Sequence, residues 1–562
     1  MFSLRVCCVI FGLTSLLGAA GSKAQDLQRL KEVADSLAKE QNFSGAVLVA
    51  KGDKILLQKA YGDANREWAI PNSSNTRFRL GSITKQFTAA AILLLQERGK
   101  LKLDDQISRH ISGLPDSWNT VTIQQLLTHT SGIHSFTDLP EYRNIERFAK
   151  SPEETLAPVR ELPLDFPSGS QWNYSNSGYV LLGMLIEKLS NTSYEQFVQQ
   201  NIFAPLGMKD SGYDTNAAII PHRAAGYAAT NLKLQNAEFI HMSVPFAAGA
   251  LYSTTGDLLR WQTALYEGRL LSQSSVQAMT TAVPPGYGFG LMIMDGPEGK
   301  RYFHAGGIEG FSTLSSYRPT EKISVVILSN IENRELMWIE LPLARVSLGQ
   351  KVILPSERKT ISLTHANLDE LVGKYATSDG KWTLVRRNAS QLSVRSGGQP
   401  WLPVTAESKD HFFARTMDVQ FEFHRTQNGT VDGLTTLQFG EAQRMSRIVE
   451  SDPDYAHVPF FLRGEMNNWG LNDVMKSTVH KVYSVDLQLN KGRHLFKFGS
   501  EDFKAIDFGA ASGDESVVQG VAKTLEALGE NLQFEVSASG KFRFNLDTND
   551  VHAPKLTVTR LP

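Results

Sequence analysis

Three short stretches hold side chains whose types and spacing suit the making and breaking of an acyl bond. The first is Ser82-Ile83-Thr84-Lys85. Residues three apart on a helix share a face, so Lys85 stands one turn beyond Ser82, beside its hydroxyl. A serine hydroxyl is a poor nucleophile until a base takes its proton. A lysine serves as that base only where burial or nearby cations lower its pKa. Taken alone, the pattern also describes an ordinary helix start with a solvated lysine. The second stretch is Tyr174-Ser175-Asn176, after the turn Pro167-Ser168-Gly169 and before a helix starting near Gly178. A tyrosine there can relay a proton among Ser82, Lys85 and a leaving group, and the Asn176 amide can hold a substrate carbonyl. The alternative is a buried tyrosine with a helix-capping Ser-Asn pair. The third is His304-Ala305-Gly306-Gly307 at the end of a strand. Nothing projects from Gly306 or Gly307, so a substrate backbone can lie against that strand. The alternative is a glycine turn between two strands.

These residues need elements to carry them. Leu27, Leu30, Val33 and Leu37 recur at helical spacing and predict an amphipathic helix. Ser44–Ala50 and Lys54–Ala60 read as strands joined by a hairpin at Lys51-Gly52-Asp53. Beyond Ser82, the residues Ile83, Phe87, Ala90, Ala91, Leu94 and Leu95 line one face of a helix that Gly99 is placed to stop. Further helices are predicted over Thr122–Thr128, Gly178–Leu189, Glu195–Ile202 and Asp257–Tyr266, and strands over Arg301–His304, Phe311–Tyr317 and Lys322–Leu328. Strands at both ends of a helix-rich middle imply one sheet built from distant chain segments with helices packed on it. From about 368 to 449, short strands alternate with turns, Asn428-Gly429 being a strong hairpin signal, and predict a small antiparallel barrel or sandwich. The stretch from about 455 to the end reads as a β-sandwich with a helical insert around Ala522–Leu528.

Composition sets the outer bounds. The chain has 562 residues, 41% hydrophobic and 20% charged, with a formal net charge of -1. That is ordinary globular composition and gives no expectation of a nucleic-acid-binding face. Arg5, an apolar run from Val6 to about Ala20 and Ser22-Lys23-Ala24 form the pattern of a cleavable export leader over residues 1–24. Cys7 and Cys8 lie inside that leader and are the only cysteines. A mature chain would then hold no disulfide and no thiolate metal site. His110, His129 and His134 show no ligand pattern and read as structural.

The three motifs, in this order, resemble the serine β-lactamase and penicillin-binding-protein superfamily, most closely its class C branch. Leu126-Leu127-Thr128-His129-Thr130-Ser131-Gly132, Phe166-Pro167-Ser168-Gly169, Pro205-Leu206-Gly207-Met208, Ala248-Gly249-Ala250-Leu251-Tyr252-Ser253 and Tyr287-Gly288-Phe289-Gly290 extend the resemblance over roughly residues 26–350. It implies an α+β β-lactamase/transpeptidase-like domain over 25–352, an antiparallel sheet with helices, followed by two small all-β domains. It also implies an acyl-enzyme mechanism: Ser82 as nucleophile, Lys85 and Tyr174 as general base and then acid, and Asn176, His304 and Gly306 contacting substrate. The backbone N–H groups of Ser82 and Gly307 would form the oxyanion hole. No metal or organic cofactor is implied. The partners are a small-molecule or peptide acyl substrate, with no nucleic acid and no stable membrane insertion of the mature chain.

His304 departs from the pattern, since many β-lactamases and D,D-peptidases carry lysine there. A histidine, with an ordinary pKa of about 6.5, is only partly charged near neutrality. The histidine version resembles esterases, D-amino-acid peptidases and amidases of the same branch and implies weaker selection for carboxylate-bearing substrates such as penicillins. Residues 366–450 resemble the lipocalin-like barrel often fused to these hydrolases, which in some relatives reaches toward the active site. Residues 455–562 resemble the Ig-like sandwiches of pullulanases and other starch-active proteins. There Trp469 offers a platform for a sugar ring, against the alternative of a core or hinge tryptophan. The rival from another class is a non-catalytic penicillin- or glycan-binding or sensor protein on the same fold, which would usually lack one of Ser82, Lys85, Tyr174 or Asn176. Substrate, oligomeric state and the choice between periplasm and full secretion stay open at this level.

Overall fold

The computed structural model describes residues 10–448 and 459–562, apart from 231–232, 297, 389, 398, 400, 439–440, 480, 502, 504–505, 512–513, 528 and 550–552. The expected export leader thus lies partly outside the described residues. Among those described, no helix is long and apolar enough to cross a membrane.

The predicted first helix forms as α1, Ile10–Glu40, with Leu30, Val33 and Leu37 buried. The hairpin follows as β1, Gly45–Lys51, and β2, Lys54–Tyr61. α2, Thr84–Glu97, is entered through a tight 3-10 turn over Gly81–Ile83. Its residues from Thr84 to Leu95 are all buried, so it is a core helix rather than one with a single apolar face. Gly99 sits just past its end in the left-handed conformation, φ 69°. α3, Asn176–Ser190, is capped by the Ser175 side chain, which accepts from Gly178 N–H. α4 spans Thr255–Tyr266.

The late strands are β3, Met292–Gly296; β4, Gly299–Ile308; β5, Phe311–Arg318; and β6, Ile323–Ser329. They join the early hairpin in one six-stranded antiparallel sheet, ordered β3-β4-β5-β6-β1-β2. β1 lies against β6 with Gly45 opposite Ser329 and Lys51 opposite Ile323. Side chains alternate across the sheet. Ala46, Leu48, Val326 and Leu328 face the core that holds α2, α3 and α4. Val47, Val49, Val325 and Ile327 face α1 and a further helix, α5, Met337–Ser347.

β4 continues to Ile308, so His304-Ala305-Gly306-Gly307 lies inside a strand and not at its end. Pairing with β5 from Tyr302–Tyr317 to Ile308–Phe311 holds both glycines extended, and the turn falls at Glu309-Gly310.

Residues Gly373–Ala376 to Glu441–Ile448 form a closed barrel of eight strands, each paired with its neighbour in sequence. Asn428-Gly429 makes the expected hairpin, with Gly429 at φ 83°. The barrel belongs to the same compact unit as the sheet and helices, residues 1–447. Arg345 of α5 pairs with Asp418 of the barrel, and Arg358 with Glu407. The barrel therefore adjoins the α1/α5 side of the sheet, opposite the face that carries α2.

The second unit, 448–562, is a two-sheet sandwich closed over Phe496, Phe498, Phe534, Phe542 and Phe544. Among the described residues, the helical insert expected around Ala522–Leu528 is absent, residue 528 lying outside them. Lys523–Thr524 pairs with Lys555–Leu556 in one sheet, and Glu526–Ala527 pairs with Phe508–Gly509 in the other. Leu525 between them is fully buried. The helix-forming residue types are overridden because this segment crosses from one sheet to the other.

Candidate active site

Ser82 lies in the 3-10 turn at the mouth of α2, half-exposed, and Lys85 is wholly buried one turn on. Lys85 Nζ lies 3.1 Å from Ser82 Oγ, 2.7 Å from Asn176 Oδ1 and 2.8 Å from the Ala248 carbonyl oxygen. Burial pushes the Lys85 amine well below the usual lysine range. A neutral amine has two N–H groups and one lone pair. Ala248 O only accepts. Asn176 Oδ1 is fixed as the acceptor because its Nδ2 donates to Thr137 Oγ1 at 3.0 Å. The two hydrogens go to these oxygens, which leaves the lone pair for the Ser82 hydroxyl.

Tyr174 comes from the loop before α3. Lys85 Nζ sits 4.9 Å from its ring centroid. Its hydroxyl oxygen is buried and has no hydrogen-bond partner among the described residues at ordinary length, though the Ser82 hydroxyl is near enough to pull the phenol pKa partly down against the larger upward push of burial. Tyr174 is thus a protonated phenol facing the serine, not a phenolate.

Asn176 was expected to hold a substrate carbonyl. Its Oδ1 accepts from Lys85, one Nδ2 hydrogen goes to Thr137, and its backbone N–H donates to Ser135 Oγ at 3.0 Å. It orients Lys85, and its second Nδ2 hydrogen is left for a substrate carbonyl. His304 differs from the expected partly charged side chain. It is 5% exposed, and burial lowers its pKa to about 3. Its Nε2 accepts from the Tyr287 hydroxyl at 2.9 Å, and its Nδ1–H donates to the Ala305 carbonyl at 2.5 Å. The ring is neutral, with both nitrogens occupied.

Gly306 and Gly307 press the strand onto the nucleophile turn. A Cβ on Gly306 would lie 2.0 Å from Leu80 O, and one on Gly81, itself at φ 54°, would lie 2.8 Å from Gly307 O. The backbones around Ser82 and Gly307 are therefore in direct contact. β3 pairs with β4 only as far as Phe303. Among the described residues, the outer edge of β4 from His304 onward has no strand partner. An extended segment of substrate has room to add there.

Sequence reasoning missed five contributors. The Ala248 carbonyl carries no side-chain signal. Ser135 and Thr137 sit in a loop of uninformative composition. Tyr287 lies within a quoted landmark, but its bond to His304 is visible only in space. His129 was set aside as structural, yet its ring lies 4.2 Å from that of Tyr174. His110 and His134 bond Asp105 and Asp165 and lie outside this cluster. Trp469 belongs to the second compact unit, half-buried at φ 58°, with its backbone N–H donating to the Gly464 carbonyl.

Comparison with known proteins agrees with the geometry. A family model described as Beta-lactamase matches residues 30–348. The chain is 30% identical to "Penicillin-binding protein 4*" of Bacillus subtilis (strain 168), over 71% of this chain and 94% of that protein. A solved octameric penicillin-binding protein homologue from Pyrococcus abyssi is 26% identical with a TM-score of 0.55, covering 75% of this chain and 100% of that one. A D-amino acid amidase from Ochrobactrum anthropi SV3 is 25% identical with a TM-score of 0.51, covering 58% of this chain and 98% of that one. With more than half its length matched and a serine, a buried amine and a phenol gathered beside an open strand edge, this chain belongs to the β-lactamase family of serine hydrolases, within the β-lactamase/transpeptidase-like superfamily.

Proposed function

We propose that this chain is an exported hydrolase of the class C-related branch, working through an acyl-Ser82 intermediate on an uncharged ester or on a D-aminoacyl amide or peptide. The observation that carries the reading is the buried Lys85 amine, 3.1 Å from Ser82 Oγ with its two other contacts both oxygen acceptors. That arrangement supports a base ready to take the serine proton without first losing its own. Ser82 Oγ then attacks the substrate carbonyl. The backbone N–H groups of Ser82 and Gly307 would receive the developing oxyanion, each such donor contributing about 3 kcal/mol in enzymes of this kind. Tyr174, protonated, would pass a proton to the leaving group. The Lys85 ammonium would return its proton to Tyr174, so that water, losing a proton to the regenerated amine, could release the acyl group while that proton passes back to Ser82 Oγ.

The neutral, fully bonded His304 supports the substrate preference, because it offers no positive charge to a carboxylate. The relatives named as penicillin-binding proteins and D-amino acid amidase support carbonyl chemistry at an amide or strained amide. The leader pattern over 1–24 supports export.

The test is a panel of short-chain aryl esters, D-amino-acid amides and a chromogenic cephalosporin, run on wild type and Ser82→Ala. Esters or amides are expected to turn over, with a loss of about 10³-fold or more in Ser82→Ala. Efficient cephalosporin hydrolysis with no turnover of the others would overturn the preference. Equal rates in wild type and Ser82→Ala would overturn the mechanism.

A further inference from the structure

His129 touches each of three consecutive residues around Tyr174. Its backbone carbonyl accepts from Asn173 N–H at 3.0 Å. Its ring lies 4.2 Å from the Tyr174 ring, tilted by 39°. Its Nδ1 accepts from Ser175 N–H at 3.1 Å. The residue is 1% exposed and holds a left-handed backbone, φ 60°. That conformation is uncommon for any residue but glycine and is retained where the surroundings enforce it. The same ring lies 4.7 Å from Tyr287, whose hydroxyl donates to His304. One side chain therefore braces the loop that carries the phenol and abuts the tyrosine that fixes the substrate strand's histidine.

We infer that His129 is a positioning residue for Tyr174: it clasps Asn173–Ser175 so that the phenol stays over Lys85 and beside Ser82. The inference rests on the acyl-Ser82 reading above. No hydrogen bond among the described residues joins His129 to Ser82, so its reach to the nucleophile runs through Tyr174. Because Nδ1 accepts, the ring carries its hydrogen on Nε2, and a neutral imidazole in that tautomer is the state the clasp needs. Burial keeps it neutral. The requirement is for an acceptor at the δ position and tolerance of a positive φ. Asparagine meets both, whereas phenylalanine fills the space and offers no acceptor.

The experiment compares wild type, His129→Asn and His129→Phe on whichever ester or amide wild type turns over. Rates are taken on the whole chain, well below each melting temperature. A positioning role predicts that His129→Phe loses about 100-fold in kcat with KM little changed, since a misplacement of about 1 Å costs that much, while His129→Asn stays within about fivefold of wild type. If His129→Phe does not fold, His129→Met carries the same test. A phenylalanine or methionine variant that turns over like wild type, or an asparagine variant as poor as phenylalanine, overturns the inference and leaves the Ser82 reading standing. A wild type whose Ser82 takes up no fluorophosphonate and which turns over none of the panel overturns both.

Discussion

At the scale of single residues, the charge at position 304 decides how the strand edge meets a substrate. His304 keeps a pKa of about 3 while buried, against about 6.5 in an unfolded chain. Between those values the unfolded chain binds a proton that the folded chain refuses. Stability is therefore full above about pH 6.5 and is lost as pH falls from there toward about 3, by up to about 1.4 kcal/mol per unit. The neutral His129 adds to the loss with the same sign. Urea unfolding of wild type and His304→Gln between about pH 7 and about pH 4 checks this, since the difference between the two curves should shrink on acidification. Parallel curves would show that His304 is not held neutral by the fold. The residue types at this site were legible in the sequence: Ser82, Lys85, Tyr174 and Asn176 do share one cluster. Their states were not. Spacing places Lys85 beside Ser82, but only the packing of twelve successive buried residues from Thr84 to Leu95 pushes its pKa down. Likewise, the histidine's neutrality comes from burial, and the partner of its Nε2 is Tyr287, seventeen positions away.

At the scale of elements, the pair Gly306-Gly307 looks symmetrical in the sequence and is not symmetrical in the sheet. A Cβ on Gly306 meets the Leu80 carbonyl at 2.0 Å, a backbone atom that cannot swing aside, whereas one on Gly307 meets nothing within 4 Å. Gly306→Ala must push β4 off the turn that carries Ser82. We expect a loss of about 100-fold in kcat and a lower melting temperature. Gly307→Ala should fold like wild type and show its effect mainly in KM, because the added methyl narrows only the space open above the strand. Equal losses from the two substitutions would mean that the strand is not seated on Leu80. Why the sequence misplaced this motif follows from the same contact. Two adjacent glycines read as the end of a strand or a turn, and the close approach that demands Gly306 comes from a residue more than two hundred positions earlier. The same limit hid the sheet-switching segment at Leu525, whose residue types favour a helix until both edges it pairs with are in place.

At the scale of the whole molecule, order along the chain was the readable part: helix, hairpin, helical middle, returning strands, then two β regions. How these regions group was not. The eight-stranded barrel shares one compact unit with the sheet and helices. Arg345 is the reason that can be named: from α5 it pairs with Glu298 beside the β3–β4 turn and with Asp418 of the barrel, so one guanidinium ties the two together. Glu340, one helix turn and a half earlier, is buried and holds Arg301 of β4 and Arg318 of β5. α5 thus connects the barrel side to the strand that carries His304. The sandwich, by contrast, closes over its own phenylalanine core. Ending the chain after Arg447 should therefore leave turnover and the main unfolding transition unchanged. Ending it near 352 should remove the Arg345–Asp418 and Arg358–Glu407 ion pairs and lower the melting temperature by several degrees, as expected for a loss of about 1–3 kcal/mol. Calorimetry of the full chain should show the sandwich melting as a separate transition. If removing 448–562 abolishes turnover, or removing the barrel leaves the melting temperature where it was, then the stability of the catalytic unit is set elsewhere than at α5.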